Sequence, residues 1–90
     1  MKPTIEVVWK RIRNHQGQPF TTSTGARFTY SVEGATLMVD RSDYGVARSN
    51  FERALALVPL EGPEQFSHVI RGPAYVWAVL HDNRIRQTDW

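Results

Sequence analysis

The 90-residue chain contains no cysteine, which excludes disulfide bonds and thiolate metal sites and permits a reducing compartment. It has no apolar run near the roughly 18 residues that a membrane-spanning helix needs. Its first residues also lack the apolar core of a signal peptide. We therefore expect a cytoplasmic protein with no membrane partner, folded as a single domain over residues 1–90.

The motifs that carry most enzyme chemistry are also missing. The sequence has no glycine-rich phosphate loop, no nucleophile elbow and no HExxH pair, and its carboxylates do not have metal-ligand spacing. His81-Asp82 is a dipeptide found in some metal phosphohydrolases, which need further His and Asp ligands. His15 and His68 would have to meet His81 in space to supply them. We favour three unrelated histidines and expect no catalytic residue, no metal and no cofactor.

Charge of one sign is not in large excess, because the formal net charge is only +2. The kind of cation is more informative, since nine of the eleven Lys and Arg residues are Arg. Arg makes bidentate contacts with phosphate, carboxylate and guanine, so this composition favours an anionic partner. A GC-rich genome, which replaces Lys by Arg throughout, explains the same count equally well.

Residues 4–16 have the periodicity of an amphipathic helix, with Thr4 as its predicted N-cap and Gly17 just beyond its end. The apolar stripe consists of Ile5, Val8, Trp9 and Ile12. Three cations lie off this stripe and form either a solvated face or a phosphate-contacting face. These cations are Lys10, Arg11 and Arg13.

Residues 18–40 alternate apolar and polar side chains, which is typical of β-strands. We predict a hairpin that turns at Glu33-Gly34, or a three-stranded meander if Phe20 begins a strand. The face predicted to cover the helices carries Phe28, Tyr30, Val32, Leu37 and Val39. The opposite face is polar but uncharged, which suits solvent, a strand from a second subunit or a ligand.

Residues 41–48 are predicted to be irregular, and loops on a rigid scaffold often carry binding residues. The alternative is a simple connection from strand to helix whose Tyr44 and Val46 enter the core. A helix over 49–58 follows, with Ser49 and Glu52 matching a capping box. Arg48, Asn50 and Arg53 would surround its N-terminus, where exposed N–H groups favour anions.

The most distinctive stretch is 71–86. Gly72-Pro73 predicts a helix start, and residues 74–80 are apolar at every position, as in a buried helix. Asn83 is expected to end this helix, because Asn tolerates the left-handed conformation found there. Arg84 to Arg86 then form an extended or frayed tail that ends in Trp90.

This stretch, together with Phe28-Thr-Tyr and Arg48-Ser-Asn-Phe-Glu-Arg-Ala-Leu, resembles a set of short bacterial hypothetical proteins. Their shared run is R-G-P-[AS]-Y-[VI]-[WY]-A-[IVL]-L-x-D-x-R-I. The resemblance covers nearly the whole chain and implies a free-standing small domain, of a kind found on mobile elements such as integron cassettes. It implies no activity.

Together these patterns predict an α+β domain in which a small antiparallel hairpin or meander packs against about three helices. The favoured function is a non-enzymatic binding module whose partner is nucleic acid. A protein-interaction or homodimerisation module is the alternative, and a small-molecule or anion-binding protein is less favoured. The predicted phosphate or anion contacts are Arg41, Tyr44, Arg48, Asn50, Arg53, Arg71, Arg84 and Arg86.

Overall fold

The predicted α+β class is confirmed. A computed structural model describes residues 2–41, 45–66, 70 and 72–90. The helices of these residues are α1 (Ile5–Asn14), α2 (Arg48–Leu55), a 3₁₀ helix (Pro63–Phe66), α3 (Pro73–Leu80) and α4 (Asn83–Arg86). The strands are β1 (Phe20–Thr21), β2 (Arg27–Phe28), β3 (Tyr30–Glu33), β4 (Thr36–Val39) and β5 (Gly45–Ala47). None of the described helices is long and apolar enough to cross a membrane.

The strands form two small antiparallel sheets. β1 pairs with β2, and a second sheet has the order β3-β4-β5. The predicted hairpin at Glu33-Gly34 joins β3 to β4, with Val32 opposite Leu37 and Tyr30 opposite Val39. Because side chains alternate between the two faces of a strand, these four side chains share the face that covers the helices.

Helix α1 forms where the apolar stripe predicts it, and all four stripe residues are buried. Thr4 is the N-cap residue, but its side chain makes no capping hydrogen bond. Trp9 meets the Phe51 ring of α2 edge-on at 5.5 Å. The buried Tyr30 hydroxyl donates to the Ile12 carbonyl at 2.7 Å and so joins β3 to the last turn of α1.

Part of the predicted 41–48 loop is a strand, so the irregular assignment is wrong for Gly45–Ala47. β5 pairs with β4, with Val46 opposite Leu37, and the buried Val46 completes the inner face of the sheet. The capping box is also wrong. Helix α2 starts at Arg48, directly after β5, which makes Ala47 the N-cap and puts Ser49 inside the helix.

Helix α3 begins where Gly72-Pro73 predicts it. The N-cap Gly72 has φ 64°, in the left-handed region that glycine enters without the steric cost of a Cβ. Val76, Ala78, Val79 and Leu80 are buried, so these four residues of the apolar run lie in the core as predicted. Ala74, Tyr75 and Trp77 are half-buried.

The predicted end of the chain is wrong. Asn83 does not terminate α3 but starts α4, because the Asp82 side chain accepts a hydrogen bond from the Arg84 N–H and caps the new helix. Ile85 of α4 is fully buried. The Trp90 indole donates to the Leu80 carbonyl at 2.8 Å, so the segment after α4 is docked rather than frayed.

Candidate nucleic-acid interface

Arg84 lies among groups that use its donors inside the protein. Its Nε and Nη2 atoms contact the two Asp82 carboxylate oxygens at 2.8 and 2.9 Å. The same guanidinium donates to the Pro19 carbonyl at 2.7 Å and to the Gln18 amide oxygen at 3.0 Å. Its carbon atom lies 3.9 Å from the centre of the Phe20 ring, within cation–π distance.

These contacts set the charge states around Arg84. Burial raises the pKa of the Asp82 carboxyl, but hydrogen bonds from Arg84 outweigh it, so that this pKa lies below its ordinary value. The hydrogen bonds with Asp82 raise the pKa of Arg84. Burial also raises the pKa of the Tyr30 hydroxyl, which therefore stays protonated and keeps donating to Ile12. Arg84 thus joins α4 to β1, and four of its five N–H donors already have partners.

Arg86 is also used internally, because its Nε donates to the main-chain oxygen of Trp90. Arg11, on the neighbouring α1, contacts Asp89 at 2.7 Å and donates to the Ile85 carbonyl at 2.9 Å. Arg11 thus holds the C-terminal residues against α1, and Arg86 joins α4 to Trp90. Their contacts provide a structural role that the sequence pattern does not reveal.

The other predicted site residues are dispersed. Arg41 is exposed at the end of β4, where it donates to the Arg27 carbonyl at 3.4 Å. Asn50 and Arg53 lie on α2, half-buried and exposed respectively. Tyr44 and Arg71 lie outside the described residues. The described members of the predicted set thus lie on α2, on α4 and just after β4, and their joint role in binding stays a prediction.

Arg48 of α2 contacts α1 on the side of that helix that also carries two exposed cations. Its Nη2 atom lies 3.5 Å from the Glu6 carboxylate of α1. Lys10 follows Glu6 by one helical turn and Arg13 follows Lys10 by three residues, so helical periodicity puts all three on one side of α1. Lys10 and Arg13 are exposed and form no ion pair with any described residue. We call Lys10, Arg13 and Arg48 the basic flank.

The histidines of the described chain have structural partners. The His81 ring stacks on Trp77 at 4.7 Å, its Nδ1–H donates to the Trp77 carbonyl, and its Nε2 accepts from the Leu60 N–H. Burial lowers the pKa of this ring, which favours the neutral form that can accept that bond. His15 bonds to the Arg11 carbonyl at 2.8 Å. His68 lies outside the described residues, and those described contain no metal-ligating group of three.

Two grooves mark the surface. One, of about 440 Å³, lies between the start of α1 and the end of α2 and is lined partly by Ile5, Leu55 and Ala56. The other, of about 330 Å³, follows the outer face of the larger sheet over Thr29, Ser31 and Met38. The described side chains lining these grooves do not form a nucleophile–base pair or a cluster of metal ligands.

Comparison with protein-family models, with curated proteins and with solved structures found no match. The resemblance to short bacterial hypothetical proteins stays a prediction.

Proposed function

We propose that the protein is a non-enzymatic binding module that contacts the phosphates of nucleic acid through the basic flank. The observation that supports this proposal is the position of Lys10, Arg13 and Arg48 on adjoining sides of α1 and α2. Among the described residues, the basic flank forms an ion pair with one carboxylate, that of Glu6.

An exposed cation binds phosphate well when its donors are not already used. Lys10 and Arg13 meet this condition. Arg48 meets it in part, because its contact with Glu6 is long and its side chain is 37% exposed. Such a pair is worth about 0–1 kcal/mol, so a phosphate can replace Glu6 at little cost. Arg84, in contrast, would have to leave Asp82 and Pro19.

The proposed contacts are to the backbone and give no sequence preference. Trp9 and the four phenylalanines are buried, which removes them as stacking platforms for bases. The half-buried Trp77 and Trp90 donate their indole N–H groups to the Leu60 and Leu80 carbonyls, and the Trp77 ring stacks on His81. Binding should therefore be weak and strongly dependent on salt. Three neutralised phosphates predict that affinity for duplex DNA falls about 40-fold between roughly 50 and 200 mM salt.

The test is fluorescence anisotropy with a labelled duplex of about 20 base pairs, titrated at several salt concentrations. The variant Lys10→Gln/Arg13→Gln removes two of the three contacts. We expect weaker binding at low salt and a salt slope reduced to about one third, because one phosphate contact is left.

The matched control is Arg27→Gln/Arg53→Gln, which removes the same charge at exposed positions outside the basic flank. This variant should keep the wild-type salt slope. Equal weakening by both variants would mean that net charge, not the flank, determines binding. Absence of wild-type binding at low salt and tens of micromolar protein would reject nucleic acid as the partner.

A further inference from the structure

The two edge strands of the larger sheet, β3 and β5, differ in whether other described residues hydrogen-bond to their outward main-chain groups. At the β3 edge, the Gly17 N–H donates to the Tyr30 carbonyl at 2.8 Å and the Gln16 side-chain oxygen accepts from the Val32 N–H at 2.8 Å. The residues after α1 thus use two of the four main-chain groups that Tyr30 and Val32 direct away from β4. Occupied edges of this kind prevent pairing with another chain.

The β5 edge has no such cover among the described residues. The Arg48 N–H donates to the Ala35 carbonyl at 2.7 Å. This bond shows which residues of β5 hydrogen-bond to β4, because hydrogen-bonded and non-hydrogen-bonded positions alternate along an antiparallel pair. Val46, two residues earlier and opposite Leu37, therefore directs its N–H and carbonyl toward β4. Gly45 and Ala47 direct theirs away from the sheet, and no described strand pairs with β5 on that side.

We propose that a second copy of this chain pairs antiparallel with β5, so that the two three-stranded sheets become one sheet of six strands. The partner must be an extended backbone, because the exposed groups of an edge strand are ladder donors and acceptors. This proposal does not depend on nucleic-acid binding.

The register of β5 is complementary to itself. A two-fold axis at Val46 places Gly45 opposite the partner's Ala47 and Ala47 opposite the partner's Gly45. Both are residues whose polar groups face outward, as the paired positions of an antiparallel ladder require. The Ala47 carbonyl serves α2 as its N-cap, so the two new hydrogen bonds run from each Ala47 N–H to the other copy's Gly45 carbonyl.

The side chains of β5 also favour a second copy. A two-fold axis brings identical residues close together, so charged side chains in the paired strand would repel each other. Gly45, Val46 and Ala47 carry no charge, and Gly45 and Ala47 are too small to obstruct a neighbouring strand. Three paired residues make an interface well below the standard size of about 1,600 Å², so we expect concentration-dependent association.

The variant Ala47→Pro tests the interface at its proposed donor. Ala47 has φ −68°, which proline adopts without strain, and Val46 before it is extended, as a residue preceding proline must be. Proline removes only an N–H that points away from the sheet. Sedimentation equilibrium from about 10 µM to about 1 mM should show dimer for wild type and monomer for Ala47→Pro.

The control Ala47→Val keeps the N–H and should dimerise like wild type. Circular dichroism will show whether both variants are folded. Hydrogen exchange of the wild-type Ala47 amide gives a second measurement that no folding defect can affect, and this exchange should slow as protein concentration rises. A strictly monomeric wild type, an Ala47 amide whose exchange is independent of concentration, or a folded Ala47→Pro that still dimerises would each overturn the proposal.

Discussion

Replacing Arg84 by Met should destabilise the fold by about 2 kcal/mol. The charged hydrogen bond to the Pro19 carbonyl contributes on the order of 1 kcal/mol. The ion pair with Asp82 adds about 0.5 kcal/mol after discounting for solvent, because both side chains are partly exposed. The cation–π contact with Phe20 adds about 0.5 kcal/mol. Met keeps the apolar contact with that ring and loses the rest.

The measurement is chemical and thermal unfolding followed by circular dichroism. For a domain of this length, a loss of about 2 kcal/mol corresponds to a fall in melting temperature of about 8–16 °C. The melting temperature of Arg84→Lys should lie between those of the wild type and Arg84→Met, because Lys keeps the charge but cannot make the forked contact with Asp82. Arg53→Met is the matched control, since Arg53 is an exposed helical residue with no ion pair to any described residue.

The control should change stability by less than about 0.5 kcal/mol. If Arg84→Met were equally neutral, the contacts at Asp82, Pro19 and Phe20 would not hold α4 against β1. The donors of Arg84 would then be available to nucleic acid.

Three further outcomes are expected. In the folded protein the His81 pKa lies below its ordinary value, so below about pH 6.5 the unfolded chain binds more protons than the folded one. The free energy of unfolding measured in urea should therefore decrease as the pH is lowered through this range. The decrease should be smaller in His81→Gln. Ala78→Leu overpacks a buried position and should cost about 1–3 kcal/mol by urea unfolding, whereas an unchanged midpoint would show that α3 has room there. Gly45→Ala should cost a similar amount, about 1–3 kcal/mol, because a Cβ at this position would clash with the Thr36 Cγ2 methyl group. Adding Thr36→Ser, which removes that methyl group, should recover part of the loss in the same assay.

The spacing of apolar residues predicts correctly those helices and strands that are long enough to show a buried face in the sequence. The stripe of α1 and the alternation of β3 and β4 each extend over several residues, and both are confirmed. β5 is too short to show a period, and its Gly45 is a residue depleted in strands. β5 forms because β3 pairs with only one edge of β4, and Gly45–Ala47 pair with the other edge. The capping-box pattern misled because β5 runs directly into α2, which moved the helix start ahead of Ser49.

The candidate site was harder to predict, because the sequence does not show which arginines already have partners. Arg84 reaches Pro19 across 65 residues, and Arg11 reaches Ile85 across 74. No local pattern encodes such contacts. The capping role of Asp82 was readable in principle, since Asp is a favoured N-cap, but Asn83 beside it was interpreted as a helix end. The sequence shows the cations of α1, but only the fold places Arg48 beside Glu6 of that helix.

The two proposals meet at the junction of β5 and α2, because Ala47 ends the strand and Arg48 starts the helix. A two-fold axis at Val46 would place the two Arg48 Cα atoms roughly 14 Å apart, from the rise of about 3.4 Å per strand residue. That distance exceeds the Debye length of about 8 Å at physiological salt, so their repulsion is screened. If both basic flanks of such a dimer contact one duplex, six phosphates are neutralised instead of the three that a monomer contacts. If both proposals hold, Ala47→Pro should halve the salt slope of DNA binding although it removes no charge. An unchanged slope in a monomeric Ala47→Pro would show that one flank binds DNA alone.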